Sequence, residues 1–253
     1  MEYILITGAS SGIGKGLAKS FAERKENLII VARRKELLEN LQKELESKYK
    51  IKVLVFIYDL SIEDNVIKFY ETIKKYNIKT FINNAGIGEH NDPWNSNIKR
   101  IANLIDLNIK ALTLLSIMFI KDNLNKNKKL INISSTVGFE ILLDEIIYSS
   151  SKFFVSTFSE GIAKNLENKN YKLKVQVLAP SSTESESLEE MLNYANISQK
   201  EKNRLIINKK NKQKSIEKLI DFFFKLYESD YTIGIVDSKE DKIHLLNNYF
   251  KIH

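Results

Sequence analysis

The chain has 253 residues, 43% of them hydrophobic and 28% charged, a globular balance that allows one α/β domain with a substantial buried core. Its formal charge of +7 suits anionic ligands, phosphates among them, without by itself marking a nucleic-acid binder. With no cysteine, a disulfide framework, a Cys-ligated zinc site and thiol catalysis are all excluded.

Short strands alternate with helices along the chain. Glu2–Thr7 is a β-rich run leading into glycines. It lacks the charged and apolar regions of a secretory signal, and a cytoplasmic protein is expected. Residues 13–24 have helical spacing and 28–32 predict a second strand. Lys35–Tyr49 predicts an amphipathic helix with Leu37, Leu38, Leu41 and Leu45 in one stripe. Residues 52–58 predict a third strand, and Ser61 is placed to cap the helix that follows, with Asp64 three residues on. A fourth strand covers 80–83 and a long helix covers about 98–122. That apolar run is interrupted by Lys99, Arg100, Asp106, Asn108 and Lys110. A charge at mid-membrane depth costs about 2.5–3.5 kcal/mol, so no membrane span is expected.

A fifth strand at 129–134, a helix at 145–166 and a sixth strand at Lys174–Ala179 continue the pattern. Beyond Pro180, residues 186–228 predict lid-like helices rich in Lys, Asn and Glu, and 231–236 a last strand. Such alternation requires right-handed crossovers and a doubly wound, mostly parallel sheet, here in a single domain over 1–253. The basic run 200–214 is read as a solvated helix face, and no nucleic-acid partner is expected.

Thr7-Gly8-Ala9-Ser10-Ser11-Gly12-Ile13-Gly14 lies at the first strand-to-helix junction. Gly8 permits a tight turn, Gly12 lets the backbone approach a pyrophosphate and Gly14 allows close helix–strand packing, while the helix N-terminus offers its N–H groups to phosphate. The second strand ends in Val31-Ala32-Arg33-Arg34, without the acid that would hold the ribose diol of NAD. Ala32 accepts no hydroxyl bond, whereas Arg33 carries a planar fork suited to a 2′-phosphate. Arg34 and Lys15 add positive charge nearby, and the cofactor expected is NADP(H).

Further motifs follow in order: Asp59-Leu60, Asn83-Asn84-Ala85-Gly86, Asn108, Ser134-Ser135, and Tyr148-Ser149-Ser150-Ser151-Lys152. With the glycine loop, these make the chain resemble the short-chain dehydrogenase/reductases, over its length to about residue 185. The resemblance implies a Rossmann fold and a catalytic set of Asn108, Ser135, Tyr148 and Lys152. Ser135 is chosen over Ser134 because the family usually leaves twelve residues between its Ser and Tyr. It also implies cofactor contacts from Gly8, Ser10, Ser11, Gly12, Ile13, Gly14, Arg33, Arg34, Asp59, Leu60, Asn84, Ala85, Gly86, Tyr148, Lys152, Pro180, Thr183 and Ser185. Asp59 would receive the adenine amino group, Lys152 would bond the nicotinamide ribose and Asn108 would hold a water on a proton path. Ser181 departs from the family's usual glycine, and Ser185 stands where a Thr is usual.

The residue types suit the chemistry. Hydride delivery to a carbonyl carbon builds negative charge on oxygen, which calls for a proton donor. Free Tyr titrates near pH 10, and an adjacent ammonium lowers that value. Tyr148 and Lys152, four apart, share a helix face, and the Ser135 hydroxyl can hold the substrate oxygen. Ile141, Leu142 and Leu143 point to a hydrophobic or mixed carbonyl or alcohol substrate. Surplus apolar positions on helices 98–122 and 148–166 point to a homodimer or homotetramer. His90, His244 and His253 lack ligand-like spacing with acids, and no metal is expected. The rival reading is a non-catalytic NADP(H)-binding sensor or assembly protein, which the altered 180–185 segment leaves open.

Overall fold

A computed structural model of the chain describes residues 1–181, 200, 216–237 and 240–251. The strands are β1 (Glu2–Thr7), β2 (Asn27–Ala32), β3 (Val53–Ile57), β4 (Asn77–Asn83), β5 (Lys129–Ile133), β6 (Lys174–Ala179), β7 (Ile233–Asp237) and β8 (Lys242–Leu246). They form one sheet in the order β3-β2-β1-β4-β5-β6-β7-β8. Every pairing is parallel except β7 with β8.

The inner strands are near-continuous apolar runs because both faces of the sheet are covered. Side chains alternate along each strand. In β1, Ile4 and Ile6 enter one core with Phe21 of α1 (Gly12–Glu23), Leu38, Leu41 and Leu45 of α2 (Lys35–Tyr49), and Phe223 further on. Tyr3 and Leu5 enter the other core with Phe69 of α3 (Glu63–Ile73) and with Phe119. The chain winds outward from β1 to β3 and then returns to β4 on the other side of β1. The carboxyl ends of β1 and β4 therefore face a crevice at the point of reversal, where ligands bind in open α/β sheets.

The predicted helix over 98–122 is three pieces: α4 (Ile98–Ile105), a π-helical turn (Asp106–Ala111) and α5 (Leu112–Asn123). By length and hydropathy (mean 1.5) Ile98–Asn123 resembles a membrane span, but half of it is buried inside the protein. The next long helix, α6, covers Ile146–Asn168.

Of the helices expected over 186–228, one is described. Helix α7 (Ile216–Tyr227) packs on α1, with the Phe223 and Phe224 rings 5.9 and 5.0 Å from that of Phe21. Apart from Lys200, residues 186–215 lie outside those described. Ser61 does not cap α3; its amide and hydroxyl both donate to Asp59 Oδ1, at 3.0 and 2.7 Å, because the carboxylate is the stronger acceptor. Leu37 is exposed and leaves the apolar stripe of α2.

Candidate active site

The glycine loop is pressed into the crevice. Gly8 has φ +67°, and a Cβ there would lie 2.9 Å from Ala85 Cα; one on Gly14 would lie 2.4 Å from the Gly8 carbonyl oxygen. Side chains would force the loop away from the turn after β4. That turn is tied down by Thr7, whose Oγ1 accepts from the amides of Asn84 and Ala85, both at 2.9 Å, while Asn84 Nδ2 donates to the Thr7 carbonyl at 2.9 Å. Ser11 precedes α1 without capping it, and the first turn, which includes Ile13, carries no acid. The first N–H groups of α1 are therefore available to an anion, which fits a dinucleotide's phosphates.

Arg33 and Arg34 take different directions. Arg34 Nε and Nη2 donate to Ser10 Oγ at 3.2 and 3.0 Å, and Nη2 also donates to Ser11 Oγ. Arg33 Nη1 instead lies 3.8 Å from Asp59 Oδ2. The cation laid on the glycine loop is thus Arg34, while Arg33, whose planar fork was expected at a 2′-phosphate, lies beside Asp59. Asp59 is partly exposed, Leu60 beside it is buried, and Lys15 is exposed on the first turn of α1.

Asn108, Ser135, Tyr148 and Lys152 come from three separate elements. Asn108, buried in the π-helical turn, accepts from the Ile87 amide and donates to the Ile87 carbonyl, both at 2.9 Å, with a further bond to Ser151 Oγ at 3.1 Å. A Cβ on Gly86 would meet Asn108 Oδ1 at 3.1 Å and Lys152 Nζ at 3.6 Å, so a larger residue there would crowd the Asn108 amide. Lys152, also buried, donates to the Ile133 carbonyl at 3.0 Å, its Nζ 5.7 Å from the centre of the Tyr148 ring. Ser134 serves packing, donating to the Lys152 carbonyl at 3.0 Å and pairing with Ser156 at 2.7 Å. Ser135, half-buried, stands near enough to Tyr148 to favour its phenolate, and its hydroxyl lies 3.5 Å from the Pro180 carbonyl.

Burial, and after it the Glu145 carboxylate, pushes the Tyr148 phenol up from its ordinary value; the Ser135 hydroxyl opposes this. Burial lowers Lys152 to about 8. The lysine was expected to lower the tyrosine, but it is not among the groups that move it, its ammonium being turned to Ile133.

Other polar residues gather here that spacing did not reveal. Glu145 ends a short 3-10 turn (Leu143–Glu145) just before α6 and is buried, and His90, also buried, reaches it from the loop after β4. These partners are far apart in sequence; the one local sign was an acid and a histidine just beyond the Asn-Asn-Ala-Gly turn. Ile141, Leu142 and Leu143 are exposed, which rules out a core role. Pro180 accepts from the Thr136 amide at 2.9 Å, Ser181 is buried, and Thr183 and Ser185 lie outside the described residues. Contrary to the spacing argument, His244 does meet acids: its ligand atom and those of Asp237 and Glu240 lie within 4.8 Å of one another on the β7–β8 hairpin. Glu240 also pairs there with Lys242.

A doubly wound sheet with a glycine loop at its point of reversal, beside a Ser–Tyr–Lys cluster, is the architecture of a dinucleotide-binding oxidoreductase. Residues 2–194 match the family model described as short chain dehydrogenase, and the chain belongs to that family. The NADP-dependent 3-hydroxy acid dehydrogenase of Schizosaccharomyces pombe is 32% identical over 188 residues, 72% of each chain. A very-long-chain 3-oxoacyl-CoA reductase of Vanderwaltozyma polyspora is 34% identical over 182 residues, 67% of this chain; the match spans about half, 52%, of that relative. Among solved structures, a short-chain dehydrogenase from Sphingobium yanoikuyae in complex with NADPH is 28% identical with a TM-score of 0.80, over 93% of this chain and 87% of that one.

Proposed function

We propose that the chain is an NADP(H)-dependent oxidoreductase that moves a hydride between the nicotinamide and a carbonyl or alcohol carbon, with Tyr148 exchanging the proton. The observation that carries this reading is the convergence of Ser135, Tyr148 and buried Lys152 beside the glycine loop. The dinucleotide, when bound, supplies or accepts the hydride. The open N–H groups of α1 and the Arg34 guanidinium hold phosphate, and Ser135 positions the substrate oxygen against the phenol. The phenol is raised above its ordinary value and so is protonated near neutrality, the form that can donate its proton when a carbonyl is reduced. Such general-acid assistance contributes about 10²–10⁴-fold.

Support for NADP(H) over NAD comes from the missing acid at Ala32, from Arg34 on the glycine loop and from the names of two of the proteins above. The exposed Ile141, Leu142 and Leu143, on the loop leading to Tyr148, favour a hydrophobic carbonyl compound, in keeping with the long-chain relative. Exposed Ile98 and Ile105 on α4 support the homo-oligomer expected from the sequence.

The test follows NADPH absorbance with a panel of aldehydes, ketones and 3-oxoacyl thioesters, for wild type and Tyr148→Phe. Wild type is expected to turn over at least one class. The variant is expected to lose about 10²–10⁴-fold while NADPH still binds. NADPH binding without turnover of any carbonyl compound would replace the enzyme by a sensor.

A further inference from the structure

The loop between β4 and α4 is held at three successive residues, and a fourth reaches out of it. Ile87 is clasped by Asn108, and the Gly88 carbonyl accepts from Arg100 Nη2 at 2.7 Å. Glu89, buried, accepts from Arg100 Nε at 2.6 Å. His90, buried as well, reaches out of this loop. Its Nδ1 lies 3.5 Å from Asp144 Oδ2 and 3.6 Å from Glu145 Oε1, on the segment that enters α6.

We propose that His90, through Asp144 and Glu145, ties the loop after β4 to the loop carrying Tyr148, and that this tie sets which carbonyl compounds fit against the phenol. The inference rests on the function proposed above and deepens it by naming a positioning residue for substrate choice.

Three observations converge on this. First, Nδ1 of His90 is a buried polar atom without a hydrogen-bond partner. Its two carboxylate neighbours stand just beyond the 2.7–3.2 Å of an N–H···O bond. A small inward movement of either loop completes the bond, and such bonds commonly tighten when substrate binds. Second, Glu145 stands three residues before Tyr148, about one helical turn, so the tie ends on the segment that leads directly into the phenol. The carboxylate also acts electrostatically on Tyr148. Third, exposed apolar side chains flank the tie on both loops: Trp94 four residues after His90, and Leu143 immediately before Asp144. A tie between two loops that both carry exposed apolar side chains would set how far apart those side chains stand, and with it the width available to a hydrophobic substrate.

The test compares wild type with His90→Ala and His90→Asn; the Asn amide nitrogen restores a donor near the Nδ1 position. Hydrogen–deuterium exchange is followed over residues 87–92 and 139–147. KM and kcat are measured for a small and a bulky ketone, and the NADPH dissociation constant for each protein. His90→Ala is expected to exchange faster in both segments and nowhere in the central sheet. Its KM should rise about tenfold, and the small-to-bulky preference should shift by a similar factor. Turnover should stay within about threefold, NADPH binding should be unchanged, and His90→Asn should restore most of the loss. Unchanged exchange and preference in His90→Ala would overturn the proposal. So would loosening spread across the sheet that Asn does not rescue, the mark of a merely structural residue. If His90→Ala does not fold, Asp144→Asn, at a side chain 60% exposed, reads the same tie. A wild type that turns over nothing removes the function proposed above, and the exchange experiment still decides whether the tie exists.

Discussion

Arg34 meets the hydroxyl of Ser10 with two of its nitrogens, Nε at 3.2 Å and Nη2 at 3.0 Å, which lays its planar cation along the glycine loop. A guanidinium held in this way is ready for a phosphate oxygen, and a hydrogen bond to a charged group contributes about 1.5–3 kcal/mol. Arg34→Ala is therefore expected to weaken NADPH binding about 10- to 100-fold and to leave NADH nearly unaffected. Arg33→Ala should do less, because Arg33 faces Asp59 at 3.8 Å. Fluorescence titrations with both dinucleotides check this. An equal loss for NADH and NADPH would remove Arg34 from 2′-phosphate recognition.

Lys152 sets function against stability. Its ammonium is buried with the Ile133 carbonyl at 3.0 Å, and burial lowers it from 10.5 to about 8. Above pH 8 the folded chain has released a proton that the unfolded chain, titrating near 10.5, still holds. Stability from this group thus rises as pH climbs from about 8 to 10.5, and below 8 the full cost of the buried charge is present, about 1–3 kcal/mol. Lys152→Met is expected to abolish turnover yet raise the urea midpoint at pH 7, with a gain that shrinks towards pH 10. Urea titrations at pH 7 and pH 10 measure it. A lower midpoint at pH 7 would mean that the bond to Ile133 outweighs the burial.

What the sequence disclosed was local. The glycine loop, the strand runs and the Tyr148–Lys152 spacing are fixed by neighbours within a few residues, and each stands where it was expected. The π-helical turn at 106–111 was not legible because it accompanies Asn108 bonding Ile87, twenty-one positions earlier. Strand β8 was missed because Lys242–Leu246 is an edge strand, half-buried and carrying Lys and His, with no clear apolar alternation. Arg33 and Arg34 are adjacent and equally basic. They part only in three dimensions, where Arg34 stands at the start of α2 and reaches Ser10 while Arg33 lies beside Asp59. The contact of His90 with Asp144 and Glu145 depends on two loops meeting across β4 and β5, and no periodicity announces it.

Glu160 anchors the chain's last described residues. It is buried in α6, and its carboxylate accepts from the Tyr249 amide at 2.9 Å and, with both oxygens, from the Phe250 amide at 3.2 Å. These bonds hold the Tyr249 and Phe250 rings 4.7 and 5.8 Å from that of Phe139, on the segment that leads from Ser135 towards Tyr148. Glu160→Ala removes a charged acceptor from two backbone donors and is expected to cost about 1.5–3 kcal/mol. For a chain of this size that lowers the thermal midpoint by roughly 3–10 °C. Glu160→Gln keeps one acceptor oxygen and should lose less. Calorimetry measures the shift, and hydrogen exchange at the 249 and 250 amides shows whether the tail has been released. If those amides stay protected in the Ala variant, the carboxylate does not hold the tail, and the rings packed on Phe139, with the Tyr249 hydroxyl donating to the Phe139 carbonyl at 3.4 Å, keep this segment in place.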